Sequence, residues 1–186
     1  RPLLPNTNFI RFNDEKDLEK ITTKTAAVLL ETIQGGAGFI LPEKEYLKKA
    51  QSQCKKEGAL LILDEIQPGF GRTGKFFGFE HFDVQPDIVV MGKGMGGGLP
   101  VGAFTASREL MELLEDHPKL GHITTFGGNP VIAAACLATL RELRESKLVG
   151  EIPKKEALFR SELKHEKIKE IRGKGLMLAP LLKNPE

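Results

Sequence analysis

Lys93 has an unusual setting for a lysine. The stretch D-I-V-V-M-G-K-G-M-G-G-G-L-P-V-G-A, residues 87–103, puts it between a short apolar run and a crowd of glycines. Lysine prefers water and glycine costs backbone entropy on folding, so this combination needs a task for the amine. A second candidate, Asp64, closes the apolar run A-L-L-I-L-D. In an open parallel sheet the carboxyl ends of the strands border the crevice where ligands bind. A buried carboxylate and a buried amine are each costly alone, so both are expected to have partners. They could partner each other in an ordinary salt bridge, or both could serve a ligand. These two residues alone leave the choice open.

Pyridoxal phosphate (PLP) accounts for both groups. Its aldehyde condenses with a lysine amine to give an internal aldimine that substrate amines displace. Desolvation favours the neutral amine needed for that exchange. The ring draws electrons only while its pyridine nitrogen stays protonated, and an adjacent carboxylate holds that proton. At hydrogen-bond range and an effective dielectric near 20, such a pair is worth on the order of 4 kcal/mol before desolvation. Glycines beside the lysine are expected to leave space for a flat ring. The released Lys93 would move the proton between substrate Cα and cofactor C4′.

The elements that must carry these groups read as an α/β fold with a mainly parallel sheet. Continuous apolar runs at 26–33, 59–64, 87–91 and 101–106 predict strands, covered on both faces. Pro42 and the acids after it open a helix running to about Glu57, with Gly58 as its C-terminal cap. That helix makes a βαβ crossover between the first two strands. Further helices are expected from Ser107 to about Asp116, over 130–146 and over roughly 153–166, and a last strand over 176–182.

Two glycine motifs mislead. G-F-G-R-T-G-K (69–75) matches a phosphate loop, but Phe76 stands where Ser or Thr must hold magnesium, and no good helix opens at Lys75. G-K-G-M-G-G (92–97) matches a dinucleotide fingerprint, but Gly98, Leu99 and Pro100 follow where a helix is required. The nucleotide-hydrolase reading therefore ranks well behind.

The segment L-L-I-L-D-E-I-Q-P-G-F-G-R-T-G-K (60–75), M-G-K-G-M-G-G-G-L-P-V-G-A (91–103) and H-I-T-T-F-G-G-N-P-V-I-A-A-A (122–135) closely resemble the class III aminotransferases, in particular the acetylornithine and ornithine aminotransferase group. The resemblance runs from about Pro2 to Leu182. It implies the aspartate-aminotransferase-type (fold type I) PLP fold, with 1–145 part of the large PLP-binding domain and 146–186 the interdomain helix end and the beginning of the small C-terminal domain. It implies Lys93 as the Schiff-base lysine, Asp64 as partner of the pyridine nitrogen and Gln67 near the phenolic oxygen. Thr125, with Thr124 beside it, would bind cofactor, Thr125 reaching the phosphate of the neighbouring subunit's. The family's homodimer would then complete two sites. The implied reaction moves an amino group from an (acetyl)ornithine-like or other ω-amino donor to a 2-oxo acid such as 2-oxoglutarate. Aminomutases and decarboxylating transaminases share the scaffold.

Taken one at a time, Gln67 and Thr125 also suit ordinary turns. Arg72 reads as a loop organiser, and Asn129 before Pro130 as a turn residue opening a helix. His81 and His122 lack metal-ligand spacing, and no metal is expected. A-A-V-L-L-E-T-I-Q-G-G-A-G resembles the family's E-P-x-Q-G-E-[GA]-G segment with two departures: Thr32 replaces the usual proline, and Gly36 stands where ornithine-type enzymes carry a glutamate that pairs with the substrate-carboxylate arginine. Against the family, the phosphate-cupping turn, the ring-stacking aromatic and the substrate arginine are not in this stretch. With its opening R-P-L-L-P and no initiator methionine, the chain reads as a central fragment.

Composition agrees. Forty per cent apolar and 28% charged residues suit a globular domain, and a net charge of +2 with interleaved lysines and glutamates offers no nucleic-acid or membrane surface. No apolar run approaches spanning length, and the N-terminal residues show no signal-peptide pattern. Cys54 and Cys136 stand alone, as reduced thiols of a cytoplasmic protein would.

Overall fold

A computed structural model describes residues 5–116, 119 and 122–183, so the outermost residues of both expected domain ranges fall outside it. Five-residue apolar runs form strands β1 (Ala27–Glu31), β2 (Leu60–Asp64) and β3 (Ile88–Gly92). They lie side by side and parallel, with Glu31 level with Asp64 and Asp64 level with Val90. Strand β4 (Gly102–Ala106) returns antiparallel against β3 and completes the order β1-β2-β3-β4. The α/β class and the mainly parallel sheet are as expected.

Helix α1 (Tyr46–Glu57) is the crossover between β1 and β2. It starts four residues after Pro42 because Glu45 takes a left-handed backbone (φ 70°), which a helix cannot pass through. It ends at Gly58, whose φ of 75° allows its amide to reach the Cys54 carbonyl, as a C-terminal cap requires. Tyr46, Leu47, Ala50 and Cys54 fall on one stripe of α1 and bury against Val28, Leu30, Leu61 and Leu63.

The expectation of strands covered on both faces does not hold. Burial along β1 and β2 alternates, and Leu29 is 63% exposed between buried Val28 and Leu30. Among the described residues only one layer packs on β1, so its other face stays open.

Helices α2 (Arg108–Asp116) and α3 (Pro130–Glu145) follow, the latter packed on the turn after β3. Asn129 caps α3 through its Oδ1, which accepts from the amides of Val131 (3.0 Å) and Ile132 (3.3 Å). Helix α4 (Leu148–Glu162) begins five residues before Pro153, which it carries inside; the proline is therefore not its start, as the sequence suggested.

A strand the sequence did not disclose, β5 (Ile168–Lys174), pairs antiparallel with β6 (Met177–Leu182) through Gly175 and Leu176. Charged residues interrupt its apolar pattern. This hairpin docks on the loop after β2, where the Leu176 amide donates to the Arg72 carbonyl at 2.9 Å.

Candidate active site

Two strand tips and one turn build the site. β2 ends on Asp64, and the chain turns at once because the Asp64 Oδ1 accepts the Ile66 amide at 2.9 Å. That turn carries Gln67. Its side-chain amide packs so closely on Gly35, in the loop after β1, that any side chain at 35 would collide with it. The Gly35 amide donates to Glu31 Oε2 at 2.8 Å, which ties the loop after β1 back to the end of its own strand.

One strand over, β3 runs into Lys93, the first residue of a short 3-10 turn ending at Gly96. Lys93 has φ 42°, in the left-handed region that residues other than glycine seldom occupy. Such backbone strain is found disproportionately at functional sites. Gln67 and Lys93 border one cavity of about 470 Å³, with Arg72, Lys155 and apolar side chains from α3, α4 and the β5–β6 turn. Asp64 is not on that wall; it lies half-buried at the tip of the neighbouring strand.

Asp64 and Lys93 form no ion pair with each other, and neither has a charged partner among the described residues. The ordinary salt-bridge reading is thereby removed. Lys93, however, is exposed rather than buried, so the desolvation expected for it is absent from this chain.

Three of the glycines around it serve close packing instead of open space. A Cβ on Gly92 would lie 3.1 Å from the Val101 carbonyl oxygen, one on Gly96 2.9 Å from Val101 Cγ1, and one on Gly97 would strike Thr139 of α3. These three glycines let the chain leading into β4 and α3 close on the lysine turn, whereas Gly94, beside Lys93 on the cavity wall, would bring a Cβ no closer than 3.4 Å to Phe70.

Thr124 and Thr125 lie in the exposed stretch that leads to the cap of α3, away from the cavity wall. His122 meets Phe104 edge-on at 5.4 Å, and among the described residues no group of side chains could hold a metal ion. The Arg72 backbone bonds within its loop and to Leu176, and the residue also borders the cavity. Lys75 Nζ donates to the Glu80 carbonyl at 2.9 Å, and only a four-residue 3-10 turn, Gly78–His81, follows it. A phosphate loop needs a helix there, so the nucleotide-hydrolase reading fails.

Residues 7–186 match the family model described as aminotransferase class-III. The chain belongs to this family.

The chain is 40% identical over 188 residues to the acetylornithine aminotransferase of Methanosarcina acetivorans, covering 99% of this chain and 46% of that protein. It is 42% identical over 182 residues to the ornithine aminotransferase of Oceanobacillus iheyensis, covering 95% and 45%. The ornithine aminotransferase of Toxoplasma gondii superposes with a TM-score of 0.85 at 36% identity, over 95% of this chain and 43% of that one. That protein, crystallized in the presence of oxidized glutathione, shows partial occupancy of PLP at its active site. This class III chain thus spans under half the length of the curated relatives it matches.

Glu65 was not singled out from the sequence, and Thr32 was noted only as a replacement of the family's proline. The signal was present: a period of two places Glu65 on the side of Leu61 and Leu63, the buried face, opposite to Asp64.

Proposed function

We propose that this chain is the central part of a PLP-dependent aminotransferase that moves an amino group from an acetylornithine-like or other ω-amino donor to a 2-oxo acid such as 2-oxoglutarate. The observation that carries this reading is the pair of uncommitted groups at adjacent parallel strand tips. The Lys93 amine, free of any ion pair among the described residues, shares a cavity wall with the Gln67 amide, and the Asp64 carboxylate stands one strand away. An amine, a carboxylate and an amide donor fit the aldehyde, pyridine nitrogen and phenolic oxygen of PLP. When bound, that group supplies an electron sink for the substrate Cα.

In this reading Lys93 holds the cofactor covalently through Nζ and later carries the proton at the substrate Cα. Asp64 keeps a proton on the ring nitrogen through its carboxylate, and Gln67 orients the ring from the side of its phenolic oxygen. Thr125, with Thr124, serves the phosphate of a neighbouring subunit's cofactor, and a homodimer completes each site. Residues 1–145 belong to the large domain and 146–186 begin the small one. A cytoplasmic setting suits the two free cysteines.

The donor is less closely tied to ornithine. A Cβ at Gly36 would meet nothing within 4 Å, so packing does not force a glycine there. An acid at this position is sterically allowed and is missing, which favours a donor that needs no carboxylate–arginine gate. Borohydride reduction of the intact protein with PLP should fix the pyridoxyl group on Lys93. Labelling of Lys75 instead would overturn the assignment. Product analysis over a panel of ω-amines and amino acids distinguishes transamination from aminomutase or decarboxylating chemistry.

A further inference from the structure

Glu65 lies between Asp64 and the turn that carries Gln67, and it is fully buried, with 0% exposure. No cation pairs with it among the described residues. Its Oε1 accepts from the Thr32 hydroxyl at 2.5 Å and from the Phe79 amide at 3.0 Å, and its Oε2 accepts from the Gly78 amide at 2.7 Å. Thr32 is itself 0% exposed and follows the last residue of β1. Gly78 and Phe79 open the 3-10 turn after the β2 loop.

One carboxylate therefore ties three separate segments together at the root of the candidate site. The backbone around it is equally constrained. The Glu65 amide donates to the Val90 carbonyl at 2.8 Å, and its carbonyl accepts the Gly69 amide at 3.0 Å. Burial raises the affinity of Glu65 for a proton, and the Thr32, Gly78 and Phe79 donors work against that rise. A buried acid of this kind is costly unless its bonds are needed, and an apolar residue of similar size is often at least as stable at such a position. Thr32, one of the two departures from the family segment, supplies the only side-chain donor to Glu65 among the described residues.

We propose that Glu65, held by Thr32, is a positioning residue: it fixes the turn that presents the Asp64 carboxylate and the Gln67 amide to the cofactor. The statement about the cofactor rests on the aminotransferase reading above; the three-segment clamp does not.

The test uses the intact protein with Glu65→Gln, Thr32→Val and Thr32→Ser, and Leu61→Ala as a control destabilised away from the clamp. Glutamine keeps the size of the side chain but sets a carboxamide NH2, itself a donor, against a donor that the carboxylate accepted from. Without PLP, amide hydrogen exchange at Gly78 and Phe79 should quicken at least about tenfold in Glu65→Gln, and less in Thr32→Val. With PLP, kcat/KM should fall by about a hundredfold in Glu65→Gln. The pH midpoint of the bound cofactor's visible absorbance, which reads the groups around the ring, should move. Thr32→Ser, which keeps the hydroxyl, should leave all three readouts near the wild type, and Leu61→Ala should leave the midpoint in place.

If Glu65→Gln does not fold, Thr32→Val and Thr32→Ser carry the same comparison. Faster exchange with an unmoved midpoint would overturn the positioning role. Unchanged exchange in both clamp variants would overturn the clamp itself. A wild-type protein that binds no PLP would overturn the aminotransferase reading, a failure visible before any variant is made.

Discussion

The two faces of the four-stranded sheet are organised differently. On one, Val28, Leu30, Leu61 and Leu63 meet the apolar stripe of α1, and Glu65 at the tip is bonded on both oxygens. On the other, Leu29 is exposed and the Asp64 side chain binds only the Ile66 amide among the described residues; Lys93, in the turn past the end of β3, likewise has no ion pair among them. The first face is satisfied by the chain itself. The second leaves Asp64 without a charged partner among the described residues. Side chains one position apart on a strand point to opposite faces, so Asp64 and Glu65 belong to different regions although they are neighbours in sequence.

A matched pair of deletions gives the largest expected contrast. Leu61→Ala removes a side chain that is 1% exposed and should lower the stability of this chain by about 2–5 kcal/mol. Leu29→Ala makes the same deletion on the open face and should stay within about 0.5 kcal/mol. Urea midpoints of the two variants read the difference directly. A Leu29→Ala cost equal to that of Leu61→Ala would mean the second face is also covered, and the contrast would collapse.

The sequence disclosed most of what the closed face needs. The runs at 26–33, 59–64 and 87–91 became β1, β2 and β3 within a few residues, because consecutive β-branched and leucine side chains have few other options. Gly58 capped α1 for a reason already visible, since only a residue tolerant of positive φ fits there. Lys93, Asp64 and Gln67 were legible as candidates from their places after the apolar runs. Their surroundings were not. Glycines at 92, 96 and 97 look the same on paper whether they admit a ligand or a neighbouring helix, and only the position of Val101 and Thr139 decides. Strand β5 stayed hidden because Lys169, Glu170, Arg172 and Lys174 dilute its apolar pattern, and its pairing with β6 is a tertiary matter.

A second contrast, somewhat smaller, uses titration of the closed face. Burial pushes the Cys54 thiol up to about 11, with the charge of Asp87 adding to the effect, and pushes the Tyr46 hydroxyl up to about 12, with Asp17 and Asp14 contributing. Both groups are 1% exposed in the core beneath α1. Their folded values lie above the unfolded ones, so the stability they contribute is complete below the unfolded values and is lost as pH rises through the folded values. Between about pH 9 and 12 the chain should lose roughly 2–3 kcal/mol for each group. Urea midpoints at increasing pH measure this, and Cys54→Ala should remove the earlier part of the decline. At about pH 8, Cys54 should also react with a thiol reagent roughly a hundredfold more slowly than an unperturbed cysteine. Rapid labelling of the folded chain would show that the covered face opens as readily as the exposed one.

The smallest effect lies at the seam between the core and the hairpin that docks on it. The His81 Nε2 sits 3.1 Å from both the carbonyl oxygen and the hydroxyl of Thr73, and a side chain at Gly175 would collide with the backbone of Arg72 and Thr73. Burial lowers the proton affinity of His81, and the charges of Lys174 and Lys75 lower it further against the weaker pull of Glu80. A depressed histidine favours the folded state in its neutral form. Its contribution is therefore present above the unfolded value near 6.5 and is lost as pH falls through the folded value. Because the ring is only half-buried, solvent screening holds the change to a few tenths of a kcal/mol. The urea midpoint should fall slightly between about pH 7.5 and 5, and His81→Gln should flatten that fall. Protection factors in β5 and β6, which correct exchange rates for their intrinsic pH dependence, should fall slightly over the same range in the wild type alone, because protonation loosens the loop on which the hairpin rests. An equal slope in His81→Gln would place the seam's pH response in another group and leave the hairpin independent of this histidine.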